Sequence, residues 1–428
     1  MREHARPIRS ARWRAAVAAV LLLSSAACGA PSARSDGKLV LTLWHGFTEA
    51  DGKMYEKLIG DFNRANPDIE IRPQANTWDV IANKLLPALS ANLGPDIVAQ
   101  PTSSAVTYIK KAAFVPLDGH YREHAADAAN YVPAAVQASK VDGRNYGVPF
   151  AFAPDMLYYN KTMFEAAGLH EPPKTWDEWV EAARKLTVDQ NGDGVPEQYG
   201  LALTSHGAAS QVIWSGMLAQ NGGGVIRDGQ AVLSGPRNTE TLTYWQNAVR
   251  EHRISPAGMD DLAATDLFAA KKAAMIVLGP WMAQRSKQAG IDYGIAPIPA
   301  GPRAKSVGTH SISMYATVQA DEAKLAAADR FFAFFNGKQR QIEWSVGSGW
   351  PPNRTDVSPE ELSANPDVAS ISRSSEDAVV DFGGVVDYTG VSTDFDTATQ
   401  KSITGEPVSR VLAESHRKIQ AKLNEERE

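Results

Sequence analysis

The residues able to do covalent chemistry in this chain are few, and their positions are informative. Cys28 is the single cysteine of 428 residues, and it follows an uncharged run from Ala15 to Ala27. Ahead of that run stand Arg2, Arg6, Arg9, Arg12 and Arg14 against one acid, Glu3. A basic start, a short apolar stretch and small residues before a cut form an export signal. The stretch is too short for a bilayer-spanning helix, which needs roughly 20 apolar residues. Ser25-Ala26-Ala27-Cys28 has the form at which a bacterial thiol is lipidated and becomes the mature N-terminus, with serine where leucine is usual. Two acyl chains, at about 0.8 kcal/mol per buried methylene, anchor a protein stably. The expectation is an exported lipoprotein on the outer face of a bacterial cell membrane, with 1–27 as signal and 28–37 as a flexible tether.

Beyond Cys28 no thiol remains, which excludes disulfides, cysteine catalysis and Zn–Cys sites. There is no Gly-x-Ser-x-Gly elbow, no His-Glu-x-x-His and no phosphate-binding glycine loop. A glycoside hydrolase needs two carboxyls about 5–10 Å apart. Asp260, Asp261 and Asp381 are the nominees, and adjacent acids on a polar stretch read as solvated surface. Asp189-Gln190-Asn191-Gly192-Asp193-Gly194 has the first half of an EF-hand loop, with Asp189, Asn191 and Asp193 as Ca²⁺ candidates. The twelfth position is Gly200, so the reading is an Asx-rich turn first and a structural ion site second. No cofactor is expected.

The elements that must position any site follow from patterning. Some 400 mature residues exceed one ordinary core, so two domains are expected. Taking the five arginines and one acid of 1–27 from 43 Lys+Arg and 49 Asp+Glu leaves 38 against 48, a formal charge of −10. That acidity argues against nucleic acid. Leu39 to Trp44 reads as a buried strand, Met54 to Ala65 as an amphipathic helix, and Ile69 with Ile71 as a second strand. Val80 to Ala91 reads as a helix and Gly94 to Val98 as entry to a third strand. Alternating strands and helices predict a parallel sheet covered on both faces, with ligands beyond the carboxyl ends of strands. Thr175 and Glu178 have capping-box spacing for a helix from Trp176 to Lys185. Further helices are expected near Asp321 to Phe335 and Pro407 to Glu425.

Nine short stretches then carry a resemblance. They are Leu41-Thr42-Leu43-Trp44-His45, Phe62-Asn63 with Asn66-Pro67, Gly94-Pro95-Asp96-Ile97, and Tyr146-Gly147-Val148-Pro149. Tyr158-Tyr159-Asn160-Lys161, Pro173-Lys174-Thr175-Trp176, Gly279-Pro280-Trp281, Tyr293-Gly294-Ile295-Ala296-Pro297 and Gly349-Trp350-Pro351-Pro352-Asn353-Arg354 complete them. In this order the chain resembles the extracytoplasmic solute-binding proteins of ABC importers. It is most similar to the carbohydrate group that includes maltose-binding protein, and also resembles glycerol-3-phosphate binders. The resemblance implies an α/β, two-lobed periplasmic-binding-protein-like fold, each lobe a mixed, mostly parallel sheet flanked by helices. The first lobe would comprise 38–152 and about 309–345, the second 153–308 and about 346–428. Hinge strands would cross near Phe150 to Asp155 and Gly308 to Ile312. It also implies a monomer that captures a small-molecule carbohydrate and delivers it to permease subunits.

A sugar presents an apolar C–H face and a rim of hydroxyls, so its site needs aromatic platforms edged by carboxylates, amides and arginine. By resemblance Trp281 is the foremost platform. Trp44 and His45 close the first strand, Trp350 and Arg354 lie in a stiff loop expected to overhang the site, and Trp78 stands near the first-lobe mouth. Gln211 and Trp214 fall in a segment where relatives contact sugar, and Asp155 and His310 lie beside the two crossings. Gln100 and Ser103 stand where maltose-binding protein has an aromatic and a carboxylate, a departure that puts maltose itself in doubt. The alternative ligand, glycerol-3-phosphate or a glycerophosphodiester, would draw on Ser103, Ser104, Ser311, Ser313 and Arg354.

Overall fold

The computed structural model of the protein describes residues 34–35, 37–374, 378–380 and 384–426. Cys28, the export signal and Asp381 lie outside the described residues.

The chain opens with β1 (Lys38–His45), α1 (Ala50–Ala65), β2 (Ile69–Ala75), α2 (Trp78–Ser90), β3 (Ile97–Pro101) and α3 (Thr102–Lys110). Burial alternates along β1, with Leu41 and Leu43 on the core side of a helix-covered sheet. Thr77 starts α2 by accepting a hydrogen bond from the Val80 amide. β1 runs parallel to both β2 and β3, as the alternating pattern predicts. A short helix, α4 (Asp118–Glu123), follows before β4 (Gly147–Pro154).

Two hydrophobic cores hold the molecule. The first lobe buries Tyr55, Phe62, Phe150, Phe331, Phe335 and Trp344 on one face of its sheet. Ile81, Leu85, Tyr108, Phe114 and Tyr315 cover the other. The second core is built on Met156–Tyr158, Trp179, Trp214, Trp245 and Met275–Leu278. Residues of β4 up to Ala153 belong to the first core, and those of β5 (Met156–Asn160), from Met156, to the second. In the second lobe α5 (Trp176–Leu186) is capped by the Thr175 hydroxyl on the Glu178 amide, and α6 (Ala208–Gln220) is buried along most of its length. β6 (Met275–Leu278) and β7 (Tyr293–Ala296) flank β5, with α7 (Trp281–Gln288) between them in sequence.

The chain returns through β8 (Val307–Ala316), whose Val307 packs in the second core and whose Ile312 and Met314 pack in the first. β8 is antiparallel to β3 and β4. In the second lobe β5 is antiparallel to β6 and β7, while Met259–Asp260 runs parallel to Thr204–His206 and Ala378–Val380 runs parallel to Val307–Thr309. The longest parallel ladders are therefore those of the first three strands, and β8 reverses direction where the chain returns to the first lobe. α8 (Glu322–Asn336) and α9 (Lys338–Ser348) cover the first sheet, while α10 (Tyr388–Thr404) and α11 (Val408–Glu425) pack on the second core. The expected boundary near 345 moves outward. Trp350 sits in the first core, and Arg354 is bonded to Asp127 and to the Asn336 carbonyl, whereas Ile371 packs in the second core.

Where β8 leaves the second lobe it lies directly on α6. A Cβ on Gly308 would stand 2.1 Å from the Val212 carbonyl oxygen, and one on Gly216 would stand 2.3 Å from the Gly308 nitrogen. Both obstacles are backbone, so neither yields by rotamer change. Gly308→Ala is expected to lower stability by about 1–3 kcal/mol, the ordinary range for overpacking. An unchanged midpoint in chemical denaturation would show that helix and strand can separate freely.

Candidate functional site

Four of the expected site residues meet where the chain crosses between cores. Asp155 occupies the junction of β4 and β5, its side chain fully buried and its amide donating to the Gly308 carbonyl at 2.9 Å. His310, on the first turnless stretch of β8, places Nε2 2.9 Å from Asp155 Oδ1, while Asp155 Oδ2 has no hydrogen-bond partner. Burial pushes the Asp155 carboxyl up, against the opposing pull of His310. Trp281 begins α7 half-buried, packed against both cores. Its indole meets the His310 ring edge-on at 4.9 Å and lies 5.8 Å from Trp350 at a 35° tilt. Gly279 makes that pose possible, since a Cβ there would come within 2.1 Å of the Trp281 ring. Trp350 is fixed in turn: its Nε1–H donates to Asp51 Oδ2 at 3.3 Å, and burial raises the Asp51 carboxyl.

In this group the His310 ring lies between the Trp281 indole and the desolvated Asp155 carboxyl, touching both. A flat apolar surface beside an unsatisfied acceptor suits a ligand with C–H faces and hydroxyl donors.

On the first-lobe side, Gln100 and Ser103 are both buried. Gln100 Nε2 donates to Ser104 Oγ at 3.0 Å, while Gln100 Oε1 and the hydroxyls of Ser311 and Ser313 have no hydrogen-bond partner. Gln211 is half-buried on α6. Trp44 is half-buried against the α2–α3 face of the core, and Trp78 stands edge-on to Phe47 at 5.3 Å with its ring over Gly46.

Three expected site residues are structural instead. Trp214 is fully buried and its Nε1–H donates to the Thr204 carbonyl at 3.0 Å, so it is a core residue of the second lobe. Arg354 is buried with Nε and Nη2 on the two Asp356 oxygens and Nη1 on Asp127 and the Asn336 carbonyl. Its guanidinium staples a loop and has no fork left for a ligand. His45 is fully buried beside Tyr55, ring centroids 5.2 Å apart at 82°, with Nε2 4.0 Å from Glu56 Oε1. Desolvation pushes its pKa down to about 4, so it is a neutral core imidazole.

The turn at Asp189–Gly194 is Asx-bonded. Asp189 accepts from the Gly192 and Gly194 amides at 2.8 and 2.9 Å, Asn191 from Asp193, and Asp193 from Val195. Those oxygens face backbone N–H groups, which is the arrangement of a self-bonded turn. Asp260 caps a helix by accepting from the Ala263 amide. Asp261, expected on the surface, is half-buried and takes the Ala209 and Ser210 amides at the start of α6 at 2.8 and 3.0 Å. Asp396 accepts from the Gly207 amide just before it, and burial pushes its carboxyl up to about 6. Sequence reasoning missed Asp51 and Asp396, because their partners are distant in the chain and no local motif marks them.

A two-lobed α/β protein whose chain passes back and forth between its cores, with an aromatic and carboxylate group at the crossing, has the architecture of a solute-binding protein. The chain belongs to the family of bacterial extracellular solute-binding proteins, whose sequence profile matches residues 57–370. A relative from Brucella melitensis, its sn-glycerol-3-phosphate-binding periplasmic protein UgpB, is 27% identical over 328 residues, covering 73% of this chain and 74% of the relative. The maltotriose-binding protein of Pyrococcus abyssi is 26% identical over 266 residues, 61% of this chain and 54% of that one. Among solved structures, UgpB from Mycobacterium tuberculosis in complex with glycerophosphocholine superposes with a TM-score of 0.81 at 20% identity, covering 92% of this chain and all of that one. A Thermotoga lettingae ABC transporter solute-binding protein bound with α-D-tagatose gives 0.78 at 22% identity, covering 90% and 99%. The fold is the one these proteins share, and among the described residues no helix is long and apolar enough to cross a membrane.

Two measurements test the reassigned residues. His45 has a folded pKa below its unfolded value of 6.5, so the stability it contributes is fully present above pH 6.5 and is lost as pH falls toward 4. His45→Phe is expected to flatten the stability–pH curve in that window; an unaltered acid limb would show that His45 does not carry it. Arg354→Ala leaves Asp127 and Asp356 without their common partner. The expected loss is about 2 kcal/mol, below the range for a fully buried pair because Asp127 is half exposed. Calorimetric affinity for the ligand is expected to stay within about twofold, against the tenfold that 1.4 kcal/mol of lost contact would produce.

Proposed function

We propose that this protein captures a carbohydrate, a mono- or oligosaccharide, between its lobes and delivers it to the permease subunits of an ABC importer. The observation that supports this most directly is the half-buried Trp281 indole beside His310 and Trp350, next to the unpartnered Asp155 Oδ2. Indole faces stack on the C–H surface of a pyranose ring, and a desolvated carboxylate accepts its hydroxyls. A phosphate at that position would instead meet the Asp155 carboxylate, and Arg354, the expected phosphate partner, is engaged with Asp127 and Asp356. The binding of maltotriose by one relative and of α-D-tagatose by one structural neighbour supports the same reading.

Glycerol-3-phosphate or a glycerophosphodiester is the second reading. It has support from the sn-glycerol-3-phosphate-binding relatives and from the buried Ser311 and Ser313 hydroxyls, which lack partners. In either case the protein binds its cargo without cutting it. It acts as an exported monomer held at the outer face of the membrane by acylated Cys28, with 28–37 as its tether. A ligand touching both lobes stabilises their closed arrangement. An affinity near 1 μM corresponds to about −8 kcal/mol, within reach of stacked rings and several hydroxyl bonds.

A thermal-shift screen of saccharides, glycerol-3-phosphate and glycerophosphodiesters tests the proposal. Ligand at 100 times its dissociation constant adds about 2.7 kcal/mol of apparent stability. A rise with one saccharide class, recovered intact by chromatography, is expected; a rise with phosphorylated glycerol alone would replace sugar by the second reading. Trp281→Ala should abolish the ligand-induced rise while lowering the unliganded midpoint far less than Trp214→Ala, whose fully buried indole predicts a loss of about 3–5 kcal/mol. Equal losses in the two unliganded variants would make Trp281 a core residue.

A further inference from the structure

His120, His124 and Asp329 bring three ligand atoms within 4.8 Å of one another in the first lobe. The two histidines are four residues apart at the two ends of the α4 turn, so their rings share a face, with centroids 4.8 Å apart. Asp329 reaches them from α8 and meets each with a separate oxygen. His120 Nδ1 lies 2.7 Å from Oδ1, and His124 Nε2 lies 2.8 Å from Oδ2. The His120 ring is fully buried, whereas His124 and Asp329 are 30% and 23% exposed, so the cluster opens to solvent on one side. Burial alone would raise the Asp329 carboxyl, but the hydrogen bonds from both histidines outweigh it and hold it below the usual carboxylate range.

The second nitrogen of His120 completes the arrangement. Nε2 lies 3.3 Å from the Tyr131 hydroxyl, a group that donates or accepts as required. With the proton on Nδ1, His120 donates to Asp329 and Tyr131 donates to Nε2. Moving that proton to Nε2 turns the Tyr131 hydroxyl into the acceptor and leaves a lone pair on Nδ1. A metal-bound imidazole is held this way, its far N–H oriented by an outer polar group. Asp127, the next carboxylate along, is paired with Arg354.

We propose that His120 Nδ1, His124 Nε2 and an Asp329 oxygen bind one divalent transition ion of borderline softness, such as zinc, with water in the remaining position. Two imidazoles and one carboxylate suit zinc, cobalt, nickel or copper, whereas magnesium and calcium take all-oxygen shells. Ligands about 2.0–2.1 Å from a tetrahedral ion stand a little over 3 Å apart. The solvent-facing His124 and Asp329 side chains need to move by only a fraction of that distance. The ion would tie the α4 segment to α8 where His120 also packs on Phe332 and Tyr131.

The test is calorimetric titration of the metal-free protein with zinc, together with the visible spectrum of the cobalt-loaded form. One ion per chain is expected, with cobalt bands of four-coordinate intensity and no competition from magnesium or calcium. His124→Ala and Asp329→Asn should each weaken zinc by about tenfold or more and abolish the cobalt bands, with circular dichroism unchanged. Absence of uptake by the unmodified protein, or uptake that survives both substitutions, would overturn the site and leave the three groups as a hydrogen-bonded staple.

Discussion

The antiparallel ladder between β4 and β8 is the constraint on which the rest of the molecule depends. Residues Thr309 to Tyr315 pair with Pro154 back to Gly147, and the same ten-residue strand also pairs with β3. At one end β8 contributes Val307 to the second core, and a few residues later Ile312 and Met314 to the first. The two cores are thus joined along the paired backbones of β4 and β8. Asp155 and His310 sit on opposite strands of this junction, so their bond reports on the ladder as much as on any ligand.

Tight packing at the junction limits which motions are available. Gly308 and Gly216 let β8 and α6 approach backbone to backbone, and Asp261 and Asp396 then satisfy the exposed amides where α6 begins. The first-lobe side is held differently, by a cluster of rings in which Phe47 touches Trp78, Phe150, Trp344 and Trp350 edge-on. Edge-to-face contacts fix orientation as well as distance. Trp350 is therefore delivered to the crossing by a rigid support, while Trp281 arrives from the other lobe on the first turn of a helix.

Much of this architecture was legible in the residues. The strands and helices of the first hundred residues follow from period-2 and period-3.6 patterning, and Thr175 caps its helix as the Thr-x-x-Glu spacing predicts. The identities of the site were only partly legible, for a physical reason. Tryptophan, histidine and arginine serve a cleft and a core equally well, and the sequence around Trp214 or His45 carries no sign of which side faces inward. Arg354 reads as a ligand until Asp127 is seen, 227 residues away, beside it. No motif singles out His120 and His124 in the chain, and Asp329 joins them only through the packing of α8 on α4.

Trp281 is half-buried and rests on both cores at once. Any rotation of one lobe against the other must change how much of its ring meets water and how near it stands to His310 and Trp350. Indole emission is sensitive to both, through solvent relaxation and through quenching by a neighbouring imidazole. The molecule thus carries an intrinsic optical gauge of its own lobe angle, placed by the fold and needing no attached dye.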